Sequence, residues 1–146
     1  MAASRTFYND FAKKVGNGTI DLAAHTLKVM LCSSSYTPSA AHSVKADITN
    51  ELATANGYTA GGKALENVDW DQAAGVATLA ADDTSWTASG GSITARYAVV
   101  YDDTAASKDL LFYVLLNATP ADVTATNGNM LTLQWDATGV LNITPA

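Results

Sequence analysis

The chain has only one cysteine and two histidines, and these low numbers argue against several classes of function. A single cysteine allows no disulfide within the chain, and Cys32, which ends an apolar stretch, is predicted to be a small buried hydrophobic residue. Two histidines, His25 and His42, are too few and too far apart in the sequence to suggest general-base catalysis or a zinc site. The sequence also lacks a glycine-rich phosphate loop and a nucleophile elbow. It therefore predicts no enzyme, no catalytic or metal-binding residues and no cofactor.

Basic residues are also scarce. Eight Lys and Arg oppose fourteen Asp and Glu, so the net charge is −6, and the basic residues do not cluster. Because phosphate contacts need clustered Lys and Arg, the sequence predicts no nucleic-acid partner, and the same acidity argues against a membrane surface. Its longest apolar run, residues 110–116, is far shorter than the roughly 20 residues of a membrane span. Residues 1–14 lack the apolar core of a signal peptide, so the chain is expected to fold in the cytoplasm.

The surface is predicted to be unusually neutral. Charged residues make up 15% of the chain, whereas about a quarter is typical of soluble domains. Small, weakly charged residues suit a surface that packs closely against another protein. The alternative is a soluble monomer covered with Thr, Ser and Asn.

The hydrophobic pattern predicts one mainly β domain, sandwich-like or barrel-like, with a short N-terminal helix. Phe7, Phe11 and Val15 are spaced four apart, which indicates a helix over residues 5–15 that Ser4 or Thr6 would cap. The single domain of residues 1–146 thus divides into a helix or arm at 1–18 and a β domain at 19–146. A helical turn is also expected within residues 44–52.

Period-two alternation and turn residues predict the strands. Besides residues 27–31, the strand-like segments are 64–70, 76–81, 85–87, 93–101, 110–116, 130–135 and 140–143. Within 93–101, Ile93, Ala95 and Tyr97 are predicted to share one face. The apolar run 110–116 belongs in the middle of a sheet that is covered on both sides. Residues 57–62 form a flexible loop, and residues 136–139, from Asp to Gly, form a tight hairpin turn.

Two acidic pairs and one arginine are the polar candidates. Asp82–Asp83 and Asp102–Asp103 lack the spacing of a calcium loop, so turn residues that accept backbone hydrogen bonds are favoured over a cation site. Arg96 lies among apolar neighbours in a predicted strand. It is expected to pair with Asp69, with Asp71 or with the 82–83 turn, or else to reach a neighbouring subunit.

The aromatic residues have two interpretations. Tryptophans and tyrosines on a β-sandwich can form a platform on which sugars stack; the candidates are Trp70, Trp86, Trp135, Tyr97, Tyr101 and Tyr113. More often such residues are core or interface anchors. Trp135 aligns with Leu131 and Leu133, which favours the core.

Four segments resemble, in order, a family of small virion structural proteins of tailed bacteriophages. They are FYNDFAKKVGNGTIDLAAHTLKVMLCSSSYTP (7–38), ITNELATANGYTAGGKALENV (48–68), ADDTSWTASGGSITARYAVVYDDT (81–104) and LTLQWDATGVLNI (131–143). The most specific pieces are GYTAGGKAL and ARYAVVYDD. The chain departs from the family's pattern at Thr84, where an apolar β-branched residue usually follows the Asp pair.

The resemblance implies a β-sandwich-like protein without catalysis, located in the virion after assembly in the host cytoplasm. The favoured function is a capsid decoration (cement) protein that binds the major capsid protein or other virion proteins. A homo-oligomer is expected, with a trimer favoured. The alternatives are a tail or tail-fibre adaptor and a carbohydrate- or receptor-binding module. The residues predicted to make protein contacts are Phe7, Tyr8, Phe11, Tyr36, Tyr58 and Arg96, together with the irregular region 35–62.

Overall fold

Strands dominate the computed structural model, which describes residues 5–145. The mainly β fold with one short helix, predicted from the hydrophobic pattern, is confirmed. The strands are β1 (Arg5–Phe7), β2 (Leu27–Cys32), β3 (Lys63–Ala64), β4 (Asp69–Ala73), β5 (Val76–Ala80), β6 (Thr84–Thr87), β7 (Ile93–Ala95), β8 (Tyr97–Asp102), β9 (Leu110–Leu115), β10 (Val123–Ala125), β11 (Met130–Leu133) and β12 (Leu141–Ile143). The helix is α1 (Phe11–Gly16), and a 3₁₀ turn spans Lys45–Asp47.

A five-stranded antiparallel sheet forms the centre of the fold, in the order β1-β9-β8-β2-β3. Its inner strands are apolar on both faces. In β9, Leu111 and Val114 face the larger core, whereas Leu110 faces a second cluster of buried side chains. The mid-sheet position predicted for the run 110–116 is therefore confirmed.

Three smaller antiparallel sheets supply much of the larger core. Their strand orders are β12-β5-β4, β11-β6 and β10-β7. Buried side chains from these strands meet those of the central sheet and of α1 in a single cluster, which includes Phe11, Leu79, Trp86, Phe112 and Leu141. Burying apolar area at roughly 25 cal/mol per Å² makes this cluster the main stabilising element.

The second cluster lies on the other face of the central sheet and is rich in tyrosine. It consists of Tyr8, Met30, Cys32, Tyr36, Val99, Tyr101 and Leu110, with Ile48, Tyr97 and Tyr113 packed against it. Tyr36 and Ile48 come from the irregular segment 33–50, which therefore covers this face. The helical turn predicted within 44–52 is present only as the 3₁₀ turn.

The N-terminal helix predicted over residues 5–15 is only partly correct. Residues 5–7 form β1, which pairs with β9, and the helix begins at Phe11. The spacing of Phe7, Phe11 and Val15 fits a helix, but Phe7 stacks on Phe11 from a strand, with ring centroids 5.1 Å apart. The predicted cap Ser4, like residues 1–3, lies outside the described residues.

The strand predicted over 93–101 is interrupted at Arg96. The Arg96 N–H donates to the Cys32 carbonyl, whereas its own carbonyl accepts from the Leu116 N–H on the opposite side. A regular strand residue directs both groups to the same neighbour, so the alternation resets here. Ala95 therefore faces the larger core while Tyr97 packs on the second cluster, and the prediction that they share a face is wrong.

The predicted turn at 136–139 and the start of β6 are both well defined in the structure. The Gly139 N–H donates to the Asp136 carbonyl at 2.8 Å, and Gly139 has φ +110, so a tight turn is present at 136–139. The predicted hairpin is wrong, because the flanking strands do not pair with each other: β11 pairs with β6 and β12 with β5. Thr84, the position that departs from the family pattern, begins β6 and is buried.

Candidate contact surface

Most of the predicted contact residues lie inside the fold. Tyr8, Phe11, Tyr36 and Tyr58 are each at most 5% exposed. Their side chains are occupied by contacts within the chain, so in this fold they offer almost no surface to a partner. Of the six residues predicted individually, only Phe7 and Arg96 reach the surface, whereas the irregular region 35–62, apart from Tyr36 and Tyr58, is partly or fully exposed.

Tyr8 and Tyr36 fasten the segment 33–50 to the sheet. Their hydroxyl groups are 3.1 Å apart, and the Tyr36 hydroxyl lies 3.0 Å from His42 Nδ1. Burial raises the pKa of Tyr36 to about 12 and raises the pKa of Tyr8 further. Both phenols are therefore neutral near pH 7, and their hydrogen bonds satisfy polar groups that would otherwise be buried without partners.

Tyr58 fastens the loop of residues 57–62, which we term the glycine loop. Its hydroxyl accepts the Leu31 N–H at 3.0 Å and donates to the Glu51 carboxylate at 2.8 Å. The same carboxylate accepts the Gly61 N–H. Burial is the main reason that the pKa of Tyr58 is raised. This network ties the glycine loop to the side of β2.

Glycine is required at two positions because the glycine loop lies directly on neighbouring backbone. Gly62 has φ +79, and an added Cβ would overlap the Val29 carbonyl and lie 2.8 Å from Met30 Cα. Gly57 has φ +92, and its Cβ would overlap the Thr87 carbonyl. Close packing against neighbouring backbone thus accounts for two glycines of the segment GYTAGGKAL, Gly57 and Gly62. The region predicted to be flexible is held firmly.

Arg96 pairs with a residue that sequence reasoning did not select. Its Nε lies 2.9 Å from Asp122 Oδ1, so the predicted pairing with Asp69, Asp71 or the 82–83 turn is wrong. Asp122 precedes β10, a short strand absent from the prediction, which pairs with β7. The pair is partly exposed and contributes little to stability.

Phe7 borders a shallow groove. Its side chain is 37% exposed and also contacts Phe112 edge-on at 5.6 Å between ring centroids. The groove has a volume of about 270 Å³ and is lined by residues without a formal charge, namely Phe7, Tyr8, Asn9, Phe11, Ala12, Asn142 and Ile143. We term it the N-terminal groove.

The acidic pairs have structural partners. Asp83 accepts the Trp135 N–H, and Asp82 accepts the Asn67 amide. Asp102 is buried, accepts the Thr104 and Ala105 N–H groups and lies 2.6 Å from His25 Nδ1. Within the part of the chain that the structure describes, no group of three or more His, Cys, Asp or Glu is placed to hold a metal ion.

Asp103, unlike Asp102, is partly exposed and has different partners. It forms ion pairs with Lys108 at 2.9 Å and with Lys28 at 3.3 Å. The Lys108 hydrogen bond is the largest cause of the lowered pKa of Asp103. The two members of the pair 102–103 therefore have different environments.

The tryptophans do not form the sugar platform considered above. Trp86 and Trp135 are buried in the larger core, and Trp70 is only partly exposed at its edge. Tyr101 is also buried. Stacking on a sugar needs an open ring face, and these four residues do not assemble one.

We expect Cys32 to be unreactive in the folded protein. Its thiol is fully buried, and burial raises its pKa to about 12, so thiolate is scarce at pH 8. Iodoacetamide should label the native chain slowly and the urea-unfolded chain rapidly, as measured by intact mass. Equal labelling rates in both states would contradict the buried position.

No helix among residues 5–145 is long and apolar enough to cross a membrane. Comparisons with protein-family models, with curated proteins and with solved structures found no match.

Proposed function

We propose that this chain is a non-enzymatic structural protein of a tailed-bacteriophage virion, with capsid decoration as its function. The observation that carries the proposal is the resemblance of four ordered segments, which together make up 90 of the 146 residues and extend from residue 7 to residue 143. Its two most specific pieces correspond to units on which the fold depends. GYTAGGKAL contains the glycine loop, and ARYAVVYDD contains β8, an inner strand of the central sheet.

The arrangement of polar side chains also supports a binding function over catalysis. The buried carboxylates Asp102 and Asp109 are engaged by His25 and Lys14. Glu51 is used to hold the glycine loop. A catalytic site needs such groups to converge on a cleft that admits substrate. Here they join segments of the chain to each other.

A decoration protein stabilises a shell through repetition. Each copy buries apolar area where capsid subunits meet, and each contact is modest. Many equivalent contacts on one shell add to a large total. A rigid domain suits this task, because little conformational entropy is lost when it binds. The firmly held glycine loop and the covered second face of the sheet give this domain that rigidity.

Quantitative mass spectrometry of gradient-purified virions tests the proposal. We expect the chain to co-purify with full particles in a copy number comparable to that of the major capsid protein. A few copies per particle, retained with isolated tails, would instead support the tail-adaptor alternative. Absence from the particles would refute both virion functions.

A further inference from the structure

The outer edge of β1 is open. The Tyr8 N–H donates to the Leu111 carbonyl, and Thr6 lies opposite Tyr113. Residues in an antiparallel pair alternate in the direction of their backbone groups. Thr6 and Tyr8 therefore direct theirs toward β9, whereas Arg5 and Phe7 direct their N–H and C=O groups outward. In residues 5–145 no strand lies on that side of β1.

The edge formed by β4 is protected in a way that the β1 edge is not. β4 exposes Asp69 and Asp71, and a second strand presenting the same charges would be repelled. β1 has no acidic residue. Its one charged side chain, Arg5, donates to the carbonyls of Gly139 and Val140 at 3.0 and 2.7 Å. The guanidinium is thus held against its own chain.

We propose that β1 pairs with β1 of a second copy, antiparallel, about a two-fold axis at Thr6. The central sheets of the two copies then form one continuous sheet. This inference does not rest on the virion function. It also differs from the trimer that the family resemblance implies, because the contact is two-fold.

The sequence of β1 is self-complementary in this register. With Thr6 on the axis, Arg5 of each copy lies opposite Phe7 of the other. Both residues direct their backbone groups outward, so each such pair exchanges two hydrogen bonds. No like charges oppose each other, because the one charged residue of each strand, Arg5, lies opposite the uncharged Phe7.

The exposed surface beside β1 is also suited to contact with a second copy of the chain. Phe7 is one of two large hydrophobic side chains that are exposed among the described residues, and a paired strand would cover it. The N-terminal groove adds uncharged surface next to the edge. Three residues make a short contact, so we expect reversible association rather than a permanent dimer.

A cross-linking experiment tests the axis directly. In the proposed register the two Thr6 residues form a non-hydrogen-bonded pair with Cα atoms about 4.5 Å apart, within the range of a disulfide. Because Cys32 is fully buried, Thr6→Cys supplies the reactive thiol. We expect a covalent dimer under mild oxidation on non-reducing gels. The matched control is Thr124→Cys, an exposed threonine on β10, which should cross-link only by random collision.

A pair of charge variants tests the register. Phe7→Glu and Phe7→Lys both remove the ring, but only glutamate is complementary to Arg5 of the second copy. Sedimentation velocity should show dimerisation roughly tenfold weaker for Phe7→Lys than for Phe7→Glu. Met130→Lys changes the other exposed large hydrophobic residue and should leave dimerisation unchanged. Circular dichroism confirms that each variant is folded.

The outcomes separate this contact from the virion proposal. Equal cross-linking of Thr6→Cys and Thr124→Cys, or equal weakening by both Phe7 variants, would overturn the two-fold contact. A stable trimer that Thr6→Cys does not cross-link would overturn it as well. None of these results bears on whether virions contain the chain.

Discussion

Replacing Gly62 with alanine is expected to prevent stable folding. The new Cβ would overlap the Val29 carbonyl of β2, and φ +79 is strained for any residue with a side chain. Neither group can move easily, because the Val29 carbonyl belongs to β2 in the central sheet and Gly62 directly precedes β3 of the same sheet. We expect a loss of about 4 kcal/mol or more in the free energy of unfolding, measured by urea denaturation, or no soluble folded protein.

Gly18→Ala is the matched control for this prediction. Gly18 has φ +82, almost the same as Gly62, but an added Cβ would meet nothing within 4 Å. Its cost should be only about 1 kcal/mol, the strain of the backbone conformation alone. Similar losses in the two variants would show that the glycine loop does not lie against β2 as described.

Replacing Lys14 with methionine is expected to cost about 3 kcal/mol or more, because it leaves a buried carboxylate unpaired. Lys14 Nζ lies 2.5 Å from Asp109 Oδ1, and the two side chains are 14% and 4% exposed. Lys14 also donates to the Ser43 hydroxyl, so the variant removes the bonds that this side chain of α1 makes to Asp109, directly before β9, and to the segment 33–50. Thermal and urea unfolding measure the loss.

The double variant Lys14→Met, Asp109→Asn separates charge burial from packing. With no ion left to bury, most of the stability lost in Lys14→Met should return. If the double variant is instead as unstable as the single one, the loss arises from the methionine side chain or from Ser43. The unpaired carboxylate would then not be its cause.

The strands were predictable where side chains alternate and the buried face is continuous. This held for β2, β9 and β11. The prediction was wrong at residues 5–7, where a helix was expected and a strand is found. Phe7 on the strand stacks on Phe11 on the helix, and two contacting residues four positions apart resemble the spacing of one helix face. The prediction was also wrong at Arg96 because the reset depends on backbone hydrogen bonds to Cys32 and Leu116, which are remote in sequence.

The contact residues were harder to predict than the fold. Tyrosine and phenylalanine suit interfaces and cores equally, and only the tertiary structure shows that Tyr8, Tyr36 and Tyr58 are enclosed. Arg96 was expected to pair with Asp69, with Asp71 or with the 82–83 turn, or else to reach a neighbouring subunit. Its partner Asp122 instead precedes a strand of three residues that the pattern does not reveal. The open edge of β1 depends on strand order, which local pattern does not specify.

Cryo-EM reconstruction of purified virions is the decisive measurement for the decoration function. We expect density for this domain, with its five-stranded sheet, at repeated positions over the icosahedral shell. Density for the domain only at the tail, or nowhere in a well-resolved virion map, would contradict the decoration function.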